Sequence, residues 1–232
     1  MKVRNGHRRI LLIACLLLIS FSSVVAVDLN KDNRDPKYVQ AIITRSQKIV
    51  DKLGIVDQSI AENVRNIIAN RYFELNDIYE KRDAELKQIK KTGLTGDAKA
   101  EAVNAAHRET DAELYRSHFA FPADLSLYLN DKQIEAVKDG MTYGVVKVTY
   151  DATLEMIPSL KVEEKAQIYA WLVEAREFAM DAESSNKKHE AFGKYKGRIN
   201  NYLSKRGYDL VKEREQWYIR IEKRKSADGK SK

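Results

Sequence analysis

Residues 57–118 decide the fold: 57-DQSIAENVRNIIANRYFELNDIYEKRDAELKQIKK-91, then 92-TGLTG-96, then 97-DAKAEAVNAAHRETDAELYRSH-118. In the first segment Ile60, Val64, Ile67, Ile68, Leu75, Ile78, Tyr79, Leu86 and Ile89 recur at three- and four-residue steps, the period of one helix face. Asp57 stands where an N-cap belongs. A helix reaching Lys91 would be roughly 50 Å long at 1.5 Å per residue. Thr92–Gly96 holds two glycines and reads as a turn. Val103, Ala106, Leu114 and Tyr115 then mark a second long helix, from about Asp97 to His118. Two long helices joined by a short glycine turn make an antiparallel hairpin.

Outward from that hairpin the chain keeps the same grammar. Asp35-Pro36 reads as N-cap and first helical residue, and Gly54 stands where that helix would stop. Between them Val39, Ile42, Ile43, Ile49, Val50 and Leu53 are helically spaced. Pro122 restarts the chain in a short helix. Asn130/Asp131 caps another, closed at Asp139-Gly140. Met141–Tyr150 reads differently. It is rich in Val and Thr and interrupted by Gly144, and it predicts an ordered extended loop with room for a short strand. Asp151–Ile157 predicts a short helix stopped by Pro158. Longer helices follow over about Val162–Asp181, Asn186–Lys205 and Leu210–Arg224. Ser226–Lys232 reads as a disordered tail. The fold class expected is all-α: a multi-helix bundle with a long hairpin and one extended loop. One helical domain over 27–225 is expected, without internal repeats.

Composition agrees with helices. Three prolines and ten glycines in 232 residues leave little for the turns of a small-stranded fold, and 32% of residues are charged. Met1–Ala26 has its own signature. Lys2, Arg4, Arg8 and Arg9 precede an apolar run, Ile10–Ile19, and Val24-Val25-Ala26 suits signal peptidase. That predicts a cleaved secretory leader, too short to span a bilayer. The rival reading, a lipobox at Leu12-Ile13-Ala14-Cys15, leaves only Ile10–Ala14 as apolar core, so cleavage after Ala26 is favoured. Removal of the leader also removes the only cysteine, Cys15. The charge of +7 then falls to +3, because all four leader cations go with it. So small an excess gives no support to nucleic-acid binding. No membrane span is expected, and oligomeric state is not legible.

Catalytic signatures are missing: no Gly-x-Ser-x-Gly, no His-Glu-x-x-His, no phosphate loop and no dinucleotide fingerprint. His107, His118 and His189 have no metal-site spacing. No catalytic residue, metal or cofactor is assigned. The informative stretch is Gln167–Tyr202. Ile168, Trp171, Leu172, Ala175, Phe178 and Ala179 share one helix face, while Tyr169, Val173 and Met180 are apolar on the other, so this helix should be central. Gln167, Glu174 and Asp181 form a polar line beside the aromatic residues. On the next helix Lys194, Arg198, Asn201 and Lys205 make a polar stripe. Gly193 and Gly197 lie beside it, with Tyr195 and Tyr202 on the flank. Two glycines inside a helix cost roughly 1 kcal/mol each against alanine. Either a neighbouring helix packs on that notch, or it is bare backbone open to a ligand. Tyr143, between Gly140 and Gly144, lies in the predicted extended loop. The candidate ligand-binding set is Tyr143, Trp171, Glu174, His189, Lys194, Tyr195, Arg198 and Asn201, with Glu174 expected to pair with Arg198 across adjacent helices.

Three strings carry a resemblance: Lys138-Asp-Gly-Met-Thr-Tyr-Gly-Val-Val146, Ala170-Trp-Leu-Val-Glu-Ala-Arg176 and Phe192-Gly-Lys-Tyr-Lys-Gly-Arg-Ile-Asn-Asn-Tyr-Leu203. They resemble a family of secreted bacterial proteins, mostly of the Bacteroidetes, filed as a domain of unknown function with a sugar-binding label. The likeness runs from about Tyr38 to Ile221. It implies an envelope or extracellular location and a link to polysaccharide use, and it brings no site residues with it.

Three functions follow as expectations. The first is non-catalytic binding of a polysaccharide, with aromatic rings stacking on sugars and Lys194, Arg198, Asn201 and Glu174 bonding to hydroxyls or to the carboxylate of a uronic acid. The second is a periplasmic chaperone-like or stress-sensing helical protein, since Leu129-Asn-Asp-Lys-Gln133 is a degraded form of a Leu-Thr-x-x-Gln motif. The third is a glycan lyase or hydrolase using Glu174 with His189 or Tyr143, and Arg198 to neutralise charge.

Overall fold

A computed structural model describes residues 26–228, and the leader before Ala26 lies outside the described residues. Nine α-helices and no strands occur among them. They are α1 (Pro36–Val50), α2 (Gln58–Lys91), α3 (Gly96–His118), α4 (Ala120–Leu125), α5 (Asp131–Met141), α6 (Val145–Met156), α7 (Val162–Met180), α8 (Ser185–Lys205) and α9 (Leu210–Asp228). The all-α class and the long α2–α3 hairpin are as the sequence predicts.

The caps are those the sequence names. The Asp35 carboxylate accepts from Tyr38 N at 2.9 Å, ahead of Pro36 at the first helical position. Asp57 accepts from Ser59 N at 2.8 Å. Asn130 and Gln133 form a reciprocal capping box. Leu129–Gln133, read above as a degraded repeat motif, is thus the start signal of α5.

Two large cores hold the helices, and a small third, Ile42, Ala69 and Phe73, joins α1 to α2. In the first, Ile49, Val50, Val64, Ile68, Phe121, Leu125, Val137 and Met141 join α1, α2, α4 and α5. In the second, Val146, Ile168, Leu172, Ala175, Phe192, Ile199 and Leu203 join α6, α7 and α8. Helix α7 is the partition. Ile168, Leu172, Ala175 and Ala179 face the second core, while Met180 enters the first. A helix buried on two sides shows little amphipathic contrast, which is why its faces were hard to separate from sequence. One assignment on it is corrected. Phe178 does not share the buried face; it is 64% exposed.

Three further corrections concern boundaries. Met141–Tyr150 is not an extended loop. Thr142-Tyr143-Gly144 makes a tight break, and α6 begins at Val145. Tyr143 and Gly144 both have left-handed φ, 60° and 67°. The Gly144 amide closes the break onto Asp139 O at 2.8 Å. Val146, Tyr150 and Leu154, four apart, all pack on the second core, so burial at helical period overrides the β-branched composition. Gly140 does not end α5. A Cβ at this position would lie 2.9 Å from Ile49 Cγ2, so glycine admits the close crossing of α1 over α5. Finally, Ser226–Asp228 continue α9; residues 229–232 lie outside the description.

Candidate functional site

The antiparallel pair α7–α8 presents a row of aromatic and cationic side chains to solvent. The Arg198 guanidinium lies over the Trp171 ring, 4.6 Å from its centroid, and 5.9 Å from that of Tyr195. Trp171 meets Tyr202 edge-to-face at 5.0 Å. Arg206 covers the Tyr202 ring at 4.6 Å. At the other end Tyr195 stacks on Phe178 at 6.4 Å. Local sequence dictates this order. Trp171 and Phe178 are seven residues apart on α7, and Tyr195 and Tyr202 seven apart on α8. Two helical turns return each pair to one face.

The predicted pairing of Glu174 with Arg198 is present, with Arg198 Nη1 donating to Glu174 Oε2 at 3.3 Å. Both side chains are about half exposed, so the pair adds little stability and instead holds the guanidinium over the indole. Burial and nearby Glu174 raise the Tyr195 phenol to about 12, so it stays neutral. A shallow hollow beside the row is lined by Trp171, Lys194, Gly197, Arg198, Asn201, Tyr202 and Lys205: three cations and no carboxylate. Neither Gly193 nor Gly197 has a heavy atom within 4 Å of where a Cβ would stand. Among the described residues the notch is therefore not a packing surface for a neighbouring helix.

Six of the eight sequence-predicted residues, Trp171, Glu174, Lys194, Tyr195, Arg198 and Asn201, come together here. The other two meet each other elsewhere. The Tyr143 ring stacks on His189 at 5.9 Å. His189 lies nine residues before Arg198, on the opposite side of α8.

Sequence reasoning missed a second hollow. A cleft of about 920 Å³ lies between the hairpin and α7–α8, lined by Tyr115, His118 and Phe119 on one wall and Phe178, Asp181 and Lys194 on the other. Asp181 is its structural centre. It accepts from the buried Arg71 Nη2 at 2.6 Å and pairs with His118 Nδ1 at 2.7 Å. The Tyr79 hydroxyl donates to its main-chain carbonyl at 2.7 Å. The hydrogen bond to Asp181 raises the His118 pKa, and burial partly opposes it. Asp181 itself is lowered, its burial outweighed by His118 and Arg71. A neighbouring cluster of partly exposed carboxylates surrounds the buried Arg176, which binds Asp139, Glu135 and Glu177. Apart from the adjacent Arg176 and Glu177, no string signals these contacts, because the partners are tens of residues apart.

Among the described residues no helix is long and apolar enough to cross a membrane, and no group of three or more His, Cys, Asp or Glu could hold a metal ion. The α7–α8 row brings together partly exposed rings, cationic donors and open backbone.

Fold and site together define an all-α helical protein with a solvent-facing aromatic–cationic row on one helix pair. Over residues 39–223, from α1 into α9, the chain matches the family described as "protein of unknown function (DUF3826)", and it belongs to that family. No curated protein matches it.

Proposed function

We propose that this is an exported carbohydrate-binding protein that holds an acidic polysaccharide on the α7–α8 row without cleaving it. One observation carries the reading: partly exposed aromatic rings, three cations and bare glycine backbone lie side by side on one surface of the described chain. Aromatic faces suit the apolar faces of sugar rings. Lys194, Asn201 and Lys205 have no hydrogen-bond or ion-pair partner among the described residues, so their donors are open to hydroxyls and carboxylates. Glu174 completes the set as an acceptor. The resemblance to secreted proteins with a sugar-binding label points the same way.

Export follows from the Met1–Ala26 signature, with cleavage after Ala26 and a periplasmic or surface destination. Val27, which would then be the first residue, packs on the first core, and its amide donates to Asn63 Oδ1 at 2.8 Å.

The test is retention of residues 27–232 on a panel of plant and host polysaccharides, with chromatography of the same incubations. Retention on one acidic class without released fragments is expected, and it should be lost in Trp171→Ala and Arg198→Ala with helical circular dichroism intact. Released fragments would make the protein an enzyme. Retention unaffected by both substitutions would remove the site from α7–α8.

A further inference from the structure

The row on α7–α8 and the cleft under the hairpin share a border. Lys194 lines both hollows. Phe178, stacked on Tyr195 at the end of the row, forms part of the cleft wall. Across the cleft Tyr115 and Phe119 pack edge-to-face at 5.3 Å and are 69% and 59% exposed. Three large rings therefore stand in water around one opening. That is an unfavourable use of apolar surface unless a partner covers it.

The cleft is preformed. The hairpin is tied to the end of α7 and the turn after it by Arg71–Asp181, His118–Asp181 and the Tyr79 bond to Asp181 O. Arg82–Glu183 adds a fourth tie at 2.6 Å. A wall fixed in advance loses little freedom on binding. Most of the cleft's own negative charge is offset: of its five carboxylates, Glu177, Asp181, Glu183 and Glu190 are paired with cations of the chain, and Asp111 alone has no ion pair among the described residues.

Resting on the carbohydrate reading above, we propose that row and cleft form one continuous track, and that the ligand is an extended acidic polysaccharide gripped along its length rather than a monosaccharide or a chain end. Each row of rings on α7 and α8 covers about 10 Å, two helical turns. A single sugar meets one ring pair; only a chain of several residues reaches from Tyr202 to Tyr115 and Phe119. The hairpin then has a role, as the far wall of the track.

The experiment is calorimetric titration of residues 27–232 with oligogalacturonates graded from dimer to decamer. The variants are Trp171→Ala and the double replacement Tyr115→Ala/Phe119→Ala, whose side chains are exposed. Wild-type affinity should rise about tenfold or more from trimer to decamer, the factor that 1.4 kcal/mol of added contact gives. The double variant should keep the trimer affinity and lose the rise. Trp171→Ala should weaken every length. Affinity independent of length, or a double variant that keeps the rise, overturns the track while leaving carbohydrate binding in place. A wild-type protein that binds no member overturns the acidic-glycan reading itself.

Discussion

Two arginines on neighbouring helices show how one side chain serves opposite ends. Arg176 is 1% exposed and is surrounded by Asp139 and Glu135 of α5 and by Glu177 beside it. Arg198 is half exposed, lies over the Trp171 ring and has a single carboxylate partner. The first has its donors occupied by the protein and joins α7 to α5. The second keeps donors in reserve. Burial, not residue type, separates the brace from the binding group, and each substitution below either breaks that distinction or sharpens it.

The largest effect should come from Arg176→Ala. It removes a buried cation and leaves three partly exposed carboxylates facing one another, so a loss of about 2–3 kcal/mol is expected in chemical denaturation. Next is Gly140→Ala. Its new methyl meets Ile49 at 2.9 Å and should cost about 1–3 kcal/mol by the same assay.

A smaller effect depends on pH. His118 has a raised pKa in the fold, so its contribution to stability is complete below about 6.5, the ordinary value, and is lost as pH climbs through the raised one. Lys188, buried and donating to Met180 O, is lowered to about 8 and works in the opposite sense at higher pH. The difference between wild type and His118→Gln isolates the first term. It should be largest near pH 6 and shrink toward pH 8; a difference flat across that range contradicts the assignment. The smallest change in stability should come from Arg198→Ala, within about 0.5 kcal/mol in the same denaturation assay, as for other exposed pairs. Its polysaccharide binding should nevertheless be lost, which is the contrast with Arg176 in its sharpest form.

How much of this was legible in the sequence follows the same line between local and distant. Helix caps at Asp35, Asp57 and Asn130, the glycine turn of the hairpin and the Glu174–Arg198 pair depend on residues close in sequence or on helix phase, and they read correctly. Met141–Tyr150 misled because its valines carry a β preference, while the four-residue spacing of Val146, Tyr150 and Leu154 shows only once the second core is known. Phe178 misled because α7 is buried on two sides. The Asp181 cluster was invisible, since Arg71 is 110 residues away and His118 is 63. Six of the proposed ligand-binding residues were brought together by helix phase, whereas Tyr115 and Phe119 joined the surface through the packing of the hairpin.

The chain has two tryptophans, Trp171 and Trp217. In a Trp217→Phe variant, Trp171 alone reports on the α7–α8 row. Titration with the polysaccharide retained by the wild type should shift and saturate its emission at the same midpoint that calorimetry gives. Calorimetric binding with Trp171 emission unchanged would contradict the account, because the ligand would then be held somewhere other than on this row.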